Sequence, residues 1–299
     1  MKRVLVTGAS GYVGRQTLAP LAALGFDVHG TARHPLDLPG CRWHKADMLD
    51  PVAAAQLIER VRPSHLLHLA WTTAHGRFWD DPANADWRDA TLALLAAFSK
   101  VGGRRFVTAG SCAEYVWEGT APLSEAHTPL RPSTLYGQAK LEAFRRVQTA
   151  SEPAGISYAH GRLFYSYGPF EQPQRLVPGI IRALLKNEPA RLTDGTQRRD
   201  FLDVRDVGGC LAALLASEVA GAVNIASGVP TAVARIAELL AGIVGRPDLI
   251  ELGAVARPAG DPASIVGDNR RLLAEVGAAP AIPLESGLAA AVDWWRGRV

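Results

Sequence analysis

The sequence has few cysteines, few lysines and no long apolar run. Its three cysteines are widely separated and include no CxxC pair, so neither a disulfide framework nor a cysteine metal site is indicated. No apolar run approaches the roughly 20 residues that span a bilayer. The run Val4–Val6 after Lys2 and Arg3 ends too early for a secretory signal, which needs about 7–15 apolar residues. These absences predict a soluble cytoplasmic protein with reduced thiols.

Charge and histidine patterning exclude two further classes. The net charge is only +3, and no run of five basic residues occurs, so nucleic-acid binding is not indicated. Arginine greatly outnumbers lysine, which suits an anionic small molecule. His65 and His68 lie three apart on a predicted strand and therefore point to opposite faces, so no metal site is expected.

Short apolar runs alternate with segments of helical periodicity through the first half of the chain. Runs rich in β-branched residues predict buried strands, and apolar residues three and four apart predict helices. The predicted strands are Arg3–Thr7, Phe26–Thr31, Arg42–Ala46, Ser64–Ala70, Arg105–Ala109 and Ile156–Leu163, and the predicted helices are Tyr12–Leu24, Val52–Val61, Ala85–Val101 and Thr134–Ala150. This alternation predicts a doubly wound α/β fold of the Rossmann type, with a parallel sheet covered on both faces.

The second half of the chain is less regular. Three prolines interrupt one segment, so we expect no single continuous helix there; they are Pro169, Pro173 and Pro178. The elements predicted beyond them are the helices Val204–Ser217 and Thr231–Val244 and the strand Ala222–Ala226. We expect a dinucleotide-binding domain over residues 1–165, to which residues 200–230 return, and a smaller substrate lobe over residues 166–299.

A glycine-rich loop follows the first strand and opens the first predicted helix. Gly8, Gly11 and Gly14 have a GxxGxxG spacing. In a βαβ unit, such glycines allow a tight turn, close approach of a pyrophosphate and close packing of the helix on the sheet. The helix N-terminus favours the anion. The predicted dinucleotide contacts of this loop are Gly8, Ser10, Gly11, Tyr12, Val13 and Gly14.

The end of the second strand indicates which dinucleotide binds. An acidic residue at this point usually holds the free ribose 2′-hydroxyl of NAD. Here Ala32 occupies that position and Arg33 follows, which favours the 2′-phosphate of NADP over NAD. The alternative is that Arg33 is a solvated loop residue and that NAD binds. Asp47 and Met48 are placed to meet the adenine.

Three residues form a catalytic constellation. Tyr136 and Lys140 lie at i and i+4 on one face of a predicted helix, and Ser111 follows the strand Arg105–Ala109. A neighbouring ammonium lowers the pKa of a phenol from about 10, so Tyr136 can protonate a carbonyl oxygen as hydride reaches the carbon, or act in reverse. Ser111 can hydrogen-bond the same oxygen.

These motifs resemble the extended short-chain dehydrogenases/reductases, a family of nucleotide-sugar epimerases, dehydratases and ketoreductases. The segment His68–Trp71 resembles the family's HLAA motif, with Trp71 replacing the last alanine. The resemblance implies that Leu69, Ala70 and Trp71 lie beside the nicotinamide ribose. Arg162–Pro169 is similar to the RxxNVYGP stretch, with Tyr165 in place of its asparagine. Tyr165 and Cys112, which follows Ser111, are expected on the substrate side.

Two further segments match motifs that bind a diphosphate in this family. Arg198–Val207 resembles the RDFxxVxD block, and Arg257–Asp261 resembles the RPGD segment. The resemblance implies that Arg199 and Arg257, with Asp261 nearby, reach the diphosphate of a nucleotide-sugar, since guanidinium groups bind phosphate oxygens bidentately. The alternative is an ion-pair network at the surface. If neither arginine lined a pocket, the nucleotide-sugar interpretation would fail.

The reaction remains open between members of the family. Family dehydratases place carboxylates where Cys112 and Ala113 stand, and Glu114 would face away in an extended segment, which disfavours dehydration. Ala32 and Arg33 favour an NADPH-dependent ketoreductase acting on a nucleotide-linked 4-keto-6-deoxy sugar. The alternatives are an NAD-dependent 4-epimerase, a reductase of a small carbonyl compound and a non-catalytic dinucleotide sensor.

A homodimer is also expected from the resemblance. Relatives pair through the two helices that correspond to Ala85–Val101 and Thr134–Ala150, and both carry apolar residues beyond one core-facing stripe. A monomer in light scattering would contradict this expectation.

Overall fold

The protein alternates strands and helices along almost its whole length. The computed structural model describes residues 2–299. The strands are β1 (Arg3–Thr7), β2 (Asp27–Ala32), β3 (Arg42–Lys45), β4 (His65–His68), β5 (Arg105–Ser111), β6 (Ser157–Leu163), β7 (Tyr165–Tyr167), β8 (Ala190–Arg191), β9 (Arg198–Asp203), β10 (Gly221–Ile225), β11 (Pro230–Ala232), β12 (Ile250–Glu251) and β13 (Ser264–Ile265). The helices are α1 (Gly14–Ala23), α2 (Pro51–Val61), α3 (Ala83–Lys100), α4 (Leu135–Ser151), α5 (Leu176–Leu185), α6 (Val204–Ala216), α7 (Val233–Val244) and α8 (Leu284–Arg296).

Seven parallel strands form the central sheet, in the spatial order β10-β6-β5-β4-β1-β2-β3. The strands of its interior are buried on both faces because helices cover both sides. One apolar cluster joins the sheet to α1 and α6, and a second joins its other face to α2, α3 and α4. The predicted Rossmann-type α/β fold is confirmed.

The strand order reverses direction at β1, which lies between β2 and β4. In open α/β sheets, ligands bind at the carboxyl ends of the strands where the order reverses. The glycine-rich loop and the ends of β4 and β5 therefore meet at one edge of the sheet.

A smaller lobe is built on β9, which pairs with β7, β11 and β13. Helices α5, α7 and α8 pack around it and share a separate apolar core. The chain then returns to the large sheet, because α6 packs on α1 and β10 becomes an edge strand beside β6. Residues 204–225 thus lie against the first half of the chain; the proposed domain boundaries stay a prediction.

Helix α5 was not foreseen from the sequence. Pro178 lies inside this helix, but in its first turn, where a backbone N–H has no partner to lose. The prolines Pro169 and Pro173 precede the helix, so they do not interrupt it. No helix among residues 2–299 combines the length and apolar character needed to cross a membrane.

Candidate active site

A cavity of about 430 Å³ opens at the carboxyl edge of the large sheet. Its walls come from the loops after β1, β2 and β4, the end of β5, the first turns of α4 and the segment after β6. Most of the sequence-predicted site residues line it; they are Gly8, Ser10, Gly11, Tyr12, Val13, Gly14, Arg33, Asp47, Met48, Leu69, Ala70, Trp71, Ser111, Cys112, Tyr136, Lys140 and Tyr165.

The glycine-rich loop is shaped by positions that leave no room for a side chain. Gly8 has a φ of +66°, and a Cβ there would lie 2.8 Å from the Ala70 amide nitrogen. A Cβ at Gly14 would lie only 2.1 Å from the Gly8 carbonyl oxygen. No side chain of the described residues caps the N-terminus of α1. Val13 and Gly14, where the helix begins, line the cavity, and a helix N-terminus favours a bound anion.

The cavity is also lined by the residues that the sequence connects with the choice of dinucleotide. They are Ala32, Arg33, Asp47 and Met48. Arg33 is exposed, and among the described residues it has no ion-pair partner. Its guanidinium group is therefore available to an added anion.

Three buried polar atoms in the cavity walls have no hydrogen-bond partner among residues 2–299. They are the Tyr12 hydroxyl, Thr31 Oγ1 and Glu171 Oε2. Unpaired buried polar atoms are rare in proteins unless a ligand or water completes them. Together with the glycine loop, they fit a long, polar ligand such as a dinucleotide.

Local structure brings Ser111 and Tyr136 together. Ser111 ends β5 and caps the short turn Cys112–Glu114, accepting a hydrogen bond from the Ala113 amide at 3.1 Å. Helix α4 begins beside this turn, because a Cβ at Gly137 would lie 2.4 Å from the Ala113 carbonyl oxygen and only glycine allows the approach. This packing places the Tyr136 hydroxyl beside the Ser111 side chain.

Lys140 lies one helical turn after Tyr136, but its ammonium group is directed elsewhere. Its Nζ donates to the Ala109 carbonyl at 2.8 Å and lies 3.7 Å from the centre of the Trp71 ring. Burial lowers the pKa of Lys140 to about 7, although the nearby Glu114 carboxylate opposes this. The buried lysine is therefore readily deprotonated in the ligand-free protein.

The pKa of Tyr136 corrects one expectation from the sequence. Burial raises it above the usual value of a phenol, and the contact with Ser111 opposes this rise only in part. Lys140 does not lower it here, because the ammonium group lies 5.9 Å from the centre of the Tyr136 ring and bonds Ala109 instead. Phe78 and Trp79 pack edge-on against the phenol, so Tyr136 is held as a neutral proton donor.

A buried network of charged side chains holds the turn that carries Ser111. The sequence analysis did not predict this network. Glu114 accepts hydrogen bonds from the Ser111 amide, from Arg162 and from His160, at 2.8, 2.8 and 2.9 Å. Burial raises the pKa of Glu114, but His160 and Arg162 outweigh it and hold the pKa at about 2. Glu114 is therefore an ionised group that fixes the Ser111 turn and does not line the cavity.

The two arginines expected at a diphosphate do not line this cavity. Asp261 binds both of them, Arg199 at 2.5 Å and Arg257 at 3.1 Å, and Arg199 also donates to the Pro262 carbonyl. Arg199 lies 5.6 Å behind the ring of Tyr165, which does line the cavity. The structure thus places them in an ion-pair network, as the alternative interpretation had it, although Arg199 is buried and not at the surface. Since neither arginine lines the cavity, the two no longer support the nucleotide-sugar interpretation, which rests instead on the similarities reported below; their contact with a ligand stays a prediction.

The segment after β7 supplies wall residues that the sequence analysis missed. Glu171, Gln172 and Arg175 all line the cavity. Gln172 also joins the two lobes, donating to the Thr73 carbonyl and accepting from the His75 amide, both at 2.9 Å. The only sequence signal was that this run follows the family-like stretch Arg162–Pro169. Among residues 2–299, no cluster of three His, Cys, Asp or Glu side chains could hold a metal ion.

The chain belongs to the NAD dependent epimerase/dehydratase family, whose model matches residues 4–226. This confirms the predicted resemblance to extended short-chain dehydrogenases/reductases. GDP-6-deoxy-D-mannose reductase of Pseudomonas aeruginosa is 30% identical, over 100% of this chain and 98% of that protein. UDP-glucose 4-epimerase of Rhizobium leguminosarum bv. trifolii is 25% identical, over 97% of this chain and 96% of its own.

Solved structures are similar over nearly the whole chain. MoeE5, in complex with UDP-glucuronic acid and NAD, has a TM-score of 0.85 and 30% identity, covering 99% of this chain and 100% of its own. UDP-glucose 4-epimerase of Thermus thermophilus, in complex with NAD, has a TM-score of 0.88 at 24% identity, with coverage of 99% and 100%. The second likeness concerns the fold alone.

Proposed function

We propose that this protein is an oxidoreductase that uses NADPH to reduce a keto group on a nucleotide-activated sugar of the 4-keto-6-deoxyhexose type. The observation that carries the proposal is the meeting of Ser111, Tyr136 and Lys140 in the wall of a cavity whose other parts are the glycine-rich loop and Arg33. The full-length similarity to a GDP-6-deoxy-D-mannose reductase supports the reaction and the substrate class.

The cofactor would lie along the cavity. The glycine loop and the N-terminus of α1 would hold its diphosphate, and Arg33 would bind the 2′-phosphate, with NAD as the alternative dinucleotide. Leu69, Ala70 and Trp71 line the part of the cavity between that loop and Lys140. When bound, the reduced nicotinamide supplies the hydride that the carbonyl carbon needs.

Side chains of the protein would protonate and hydrogen-bond the carbonyl oxygen of the substrate. Tyr136, whose raised pKa keeps it protonated at neutral pH, donates its proton to that oxygen, and Ser111 donates a second hydrogen bond to it. Lys140, one helical turn away, would favour the phenolate that remains only if the bound cofactor drew its ammonium group from the Ala109 carbonyl. Phe78 and Trp79 exclude water from the proton transfer.

The sugar nucleotide would enter from the smaller lobe. Tyr165 and Cys112 line that side, and Arg175 adds a cation with no ion-pair partner among the described residues. Arg175 is the guanidinium group best placed to bind a substrate phosphate. Arg199 and Arg257 would take part only if the substrate draws them from Asp261.

The second candidate is an NAD-dependent nucleotide-sugar 4-epimerase, which the similarity to UDP-glucose 4-epimerases favours. Such an enzyme oxidises and re-reduces the sugar and keeps its dinucleotide bound. Ala32 and Arg33 in place of an acidic residue favour the reductase. A small-carbonyl reductase and a non-catalytic sensor are less favoured, the sensor because all three catalytic side chains are present. We also propose a homodimer formed through α3 and α4.

Replacing the proton donor tests the proposal. We expect wild-type protein to oxidise NADPH in the presence of a nucleotide-linked 4-keto-6-deoxyhexose, and Tyr136→Phe to lower kcat about 10²–10⁴-fold with little change in NADPH affinity. The control is Tyr167→Phe, whose hydroxyl bonds the Leu284 carbonyl at 3.4 Å outside the cavity. Equal turnover of Tyr136→Phe and wild type would overturn the assigned role.

A further inference from the structure

Glu171 is a buried carboxyl group that the reaction described above does not use. It is only 5% exposed, yet it lines the cavity, and its Oε2 has no hydrogen-bond partner in the protein. The Gly168 amide stabilises the rest of the carboxyl group. An acidic side chain is rarely buried in this way without a partner, so the free oxygen points to a ligand.

The backbone before Glu171 fixes it against the glycine-rich loop. Phe170 has a φ of +70°, a left-handed conformation that non-glycine residues seldom adopt. Its ring stacks on the Arg15 guanidinium group at 3.8 Å, and Arg15 in turn donates to the Ser10 carbonyl at 2.7 Å. The turn is thus held to the loop that would bind the dinucleotide diphosphate.

A second unpaired polar atom lies beside Glu171. The hydroxyl of Tyr12, a residue of the glycine-rich loop, is buried beside the Ser166 side chain but makes no hydrogen bond of regular geometry with the described residues. Burial raises the pKa of Tyr12, and the Glu171 carboxyl raises it further. The two atoms, one from the glycine-rich loop and one from the segment after β7, therefore lie near each other in the cavity wall. Both can donate a hydrogen bond if Glu171 is protonated, whereas an ionised Glu171 can only accept.

Burial favours the protonated form of Glu171. Burial raises the pKa of Glu171 to about 8, while the Arg175 cation and the Gly168 amide oppose the rise. Tyr12 is the titratable group of the glycine-rich loop that lies near Glu171. Asp203, at the end of β9, raises the pKa of Tyr12, as Glu171 does. A diphosphate bound at the loop would bring further negative charge and would raise the pKa of Glu171 again.

We propose that Glu171 binds the dinucleotide as the neutral acid, donating a hydrogen bond through its free oxygen beside Tyr12, so that cofactor binding takes up a proton from solvent. This inference rests on the proposed function, because it requires a dinucleotide in the cavity. It makes the residue a pH-dependent determinant of cofactor affinity. Above the pKa of the free protein, the carboxylate must be protonated before the complex forms, so affinity falls as pH rises.

The test is the affinity for NADPH, with NADH in parallel, measured by titration calorimetry at pH 7 and pH 9. For a free-state pKa near 8, we expect the wild-type Kd to rise roughly tenfold between these values, and Glu171→Gln to remove that rise while keeping the affinity of pH 7. Titration at pH 9 in two buffers of different ionisation enthalpy should show about one more proton taken up by wild type than by Glu171→Gln. Lys140 and the 2′-phosphate are common to both proteins and cancel in this comparison.

Two further variants sharpen the result. Glu171→Met cannot ionise or donate, so we expect weaker binding than Glu171→Gln and no added pH dependence. This variant also keeps the test valid if the glutamine variant fails to fold. Glu59→Gln, an exposed position on α2 outside the cavity, makes the same charge change and should behave as wild type.

The possible failures are distinct. The same pH dependence and proton uptake in wild type and in Glu171→Gln would overturn the role of Glu171 and leave the proposed function intact. If neither wild type nor any variant bound NADPH or NADH at either pH, the proposed function itself would be overturned.

Discussion

The residues at the centre of the site are buried at a cost to stability. Lys140 is 6% exposed and has no carboxylate partner within ion-pair distance among the described residues. Its charge is compensated by the Ala109 carbonyl, the Trp71 ring and, from beyond ion-pair distance, the Glu114 carboxylate. A buried cation of this kind destabilises the folded protein wherever it must stay charged, and functional sites commonly carry such costs.

Replacing Lys140 by methionine should therefore change stability in a pH-dependent way. Its pKa is about 7 in the folded protein and about 10.4 in an unfolded chain, so between these values the unfolded chain binds more protons and the stability contributed by this group rises with pH. We expect Lys140→Met to gain more stability over wild type at pH 6 than at pH 9, by on the order of 2 kcal/mol.

The measurement is the free energy of unfolding in urea at both pH values, on ligand-free protein. Lys186→Met, at an exposed lysine, is the matched control and should show no such difference. An effect of Lys140→Met that is equal at pH 6 and pH 9 would contradict the depressed lysine pKa.

The sequence predicted that Ser111, Tyr136 and Lys140 lie together, but it did not predict their electrostatics. The spacing of Tyr136 and Lys140 on one helix determines that they are neighbours, and the structure agrees. It does not determine that Lys140 bonds the Ala109 carbonyl, because that contact depends on how α4 packs against β5. Glu171 and Arg175 were missed for the same reason, since only the folded chain brings them to the cavity wall.

Among the elements, the turn from β1 into α1 has the strictest steric requirements. Gly8 and Gly14 face backbone atoms at distances that exclude a Cβ. The same close approach that leaves no room for a side chain exposes the amides of the helix N-terminus to a bound anion. Stability and the proposed binding of the cofactor would thus be coupled in this loop.

Adding a single methyl group at Gly14 tests whether stability and cofactor affinity change together. Gly14→Ala would place a Cβ 2.1 Å from the Gly8 carbonyl oxygen, and we expect a loss of about 1–3 kcal/mol in stability and at least roughly tenfold in NADPH affinity. Gly242→Ala is the control, at an exposed position of α7 with open space around it, and should stabilise the protein by roughly 0.5–1 kcal/mol. Thermal unfolding and NADPH titration measure both effects; wild-type affinity in Gly14→Ala would contradict the role of the loop.

The periodic elements of the first half were predictable because local pattern and burial agree there. Strands β1, β2 and β4 were each placed to within one or two residues. Helix α5 was not predicted because three prolines in its vicinity indicated an interrupted segment. Pro178, however, lies in the first turn, which tolerates proline. Strand β7 was hidden because a three-residue strand carries no measurable period.

Over the whole molecule, the cavity lies where the large sheet meets the smaller lobe. The Gln172 side chain ties the lobe to the loop that follows β4, and Phe170 ties it to α1 through Arg15. Contacts of this range cannot be deduced from sequence, because the partners of Gln172 lie 97 and 99 residues away. The sequence therefore predicted the sheet and its glycine loop more fully than the wall that faces them.

We propose a reductase that exchanges NADPH at each turnover and in which Arg33 selects the 2′-phosphate. The most direct measurement is to denature purified protein, identify any dinucleotide released, and then titrate the cofactor-free protein and Arg33→Ala with NADPH and NADH. We predict reversible binding of NADPH at least roughly tenfold tighter than NADH, and loss of that preference in Arg33→Ala, since charged hydrogen bonds contribute about 1.5–3 kcal/mol. Co-purifying NAD that resists removal would contradict this claim and would make the 4-epimerase the better interpretation.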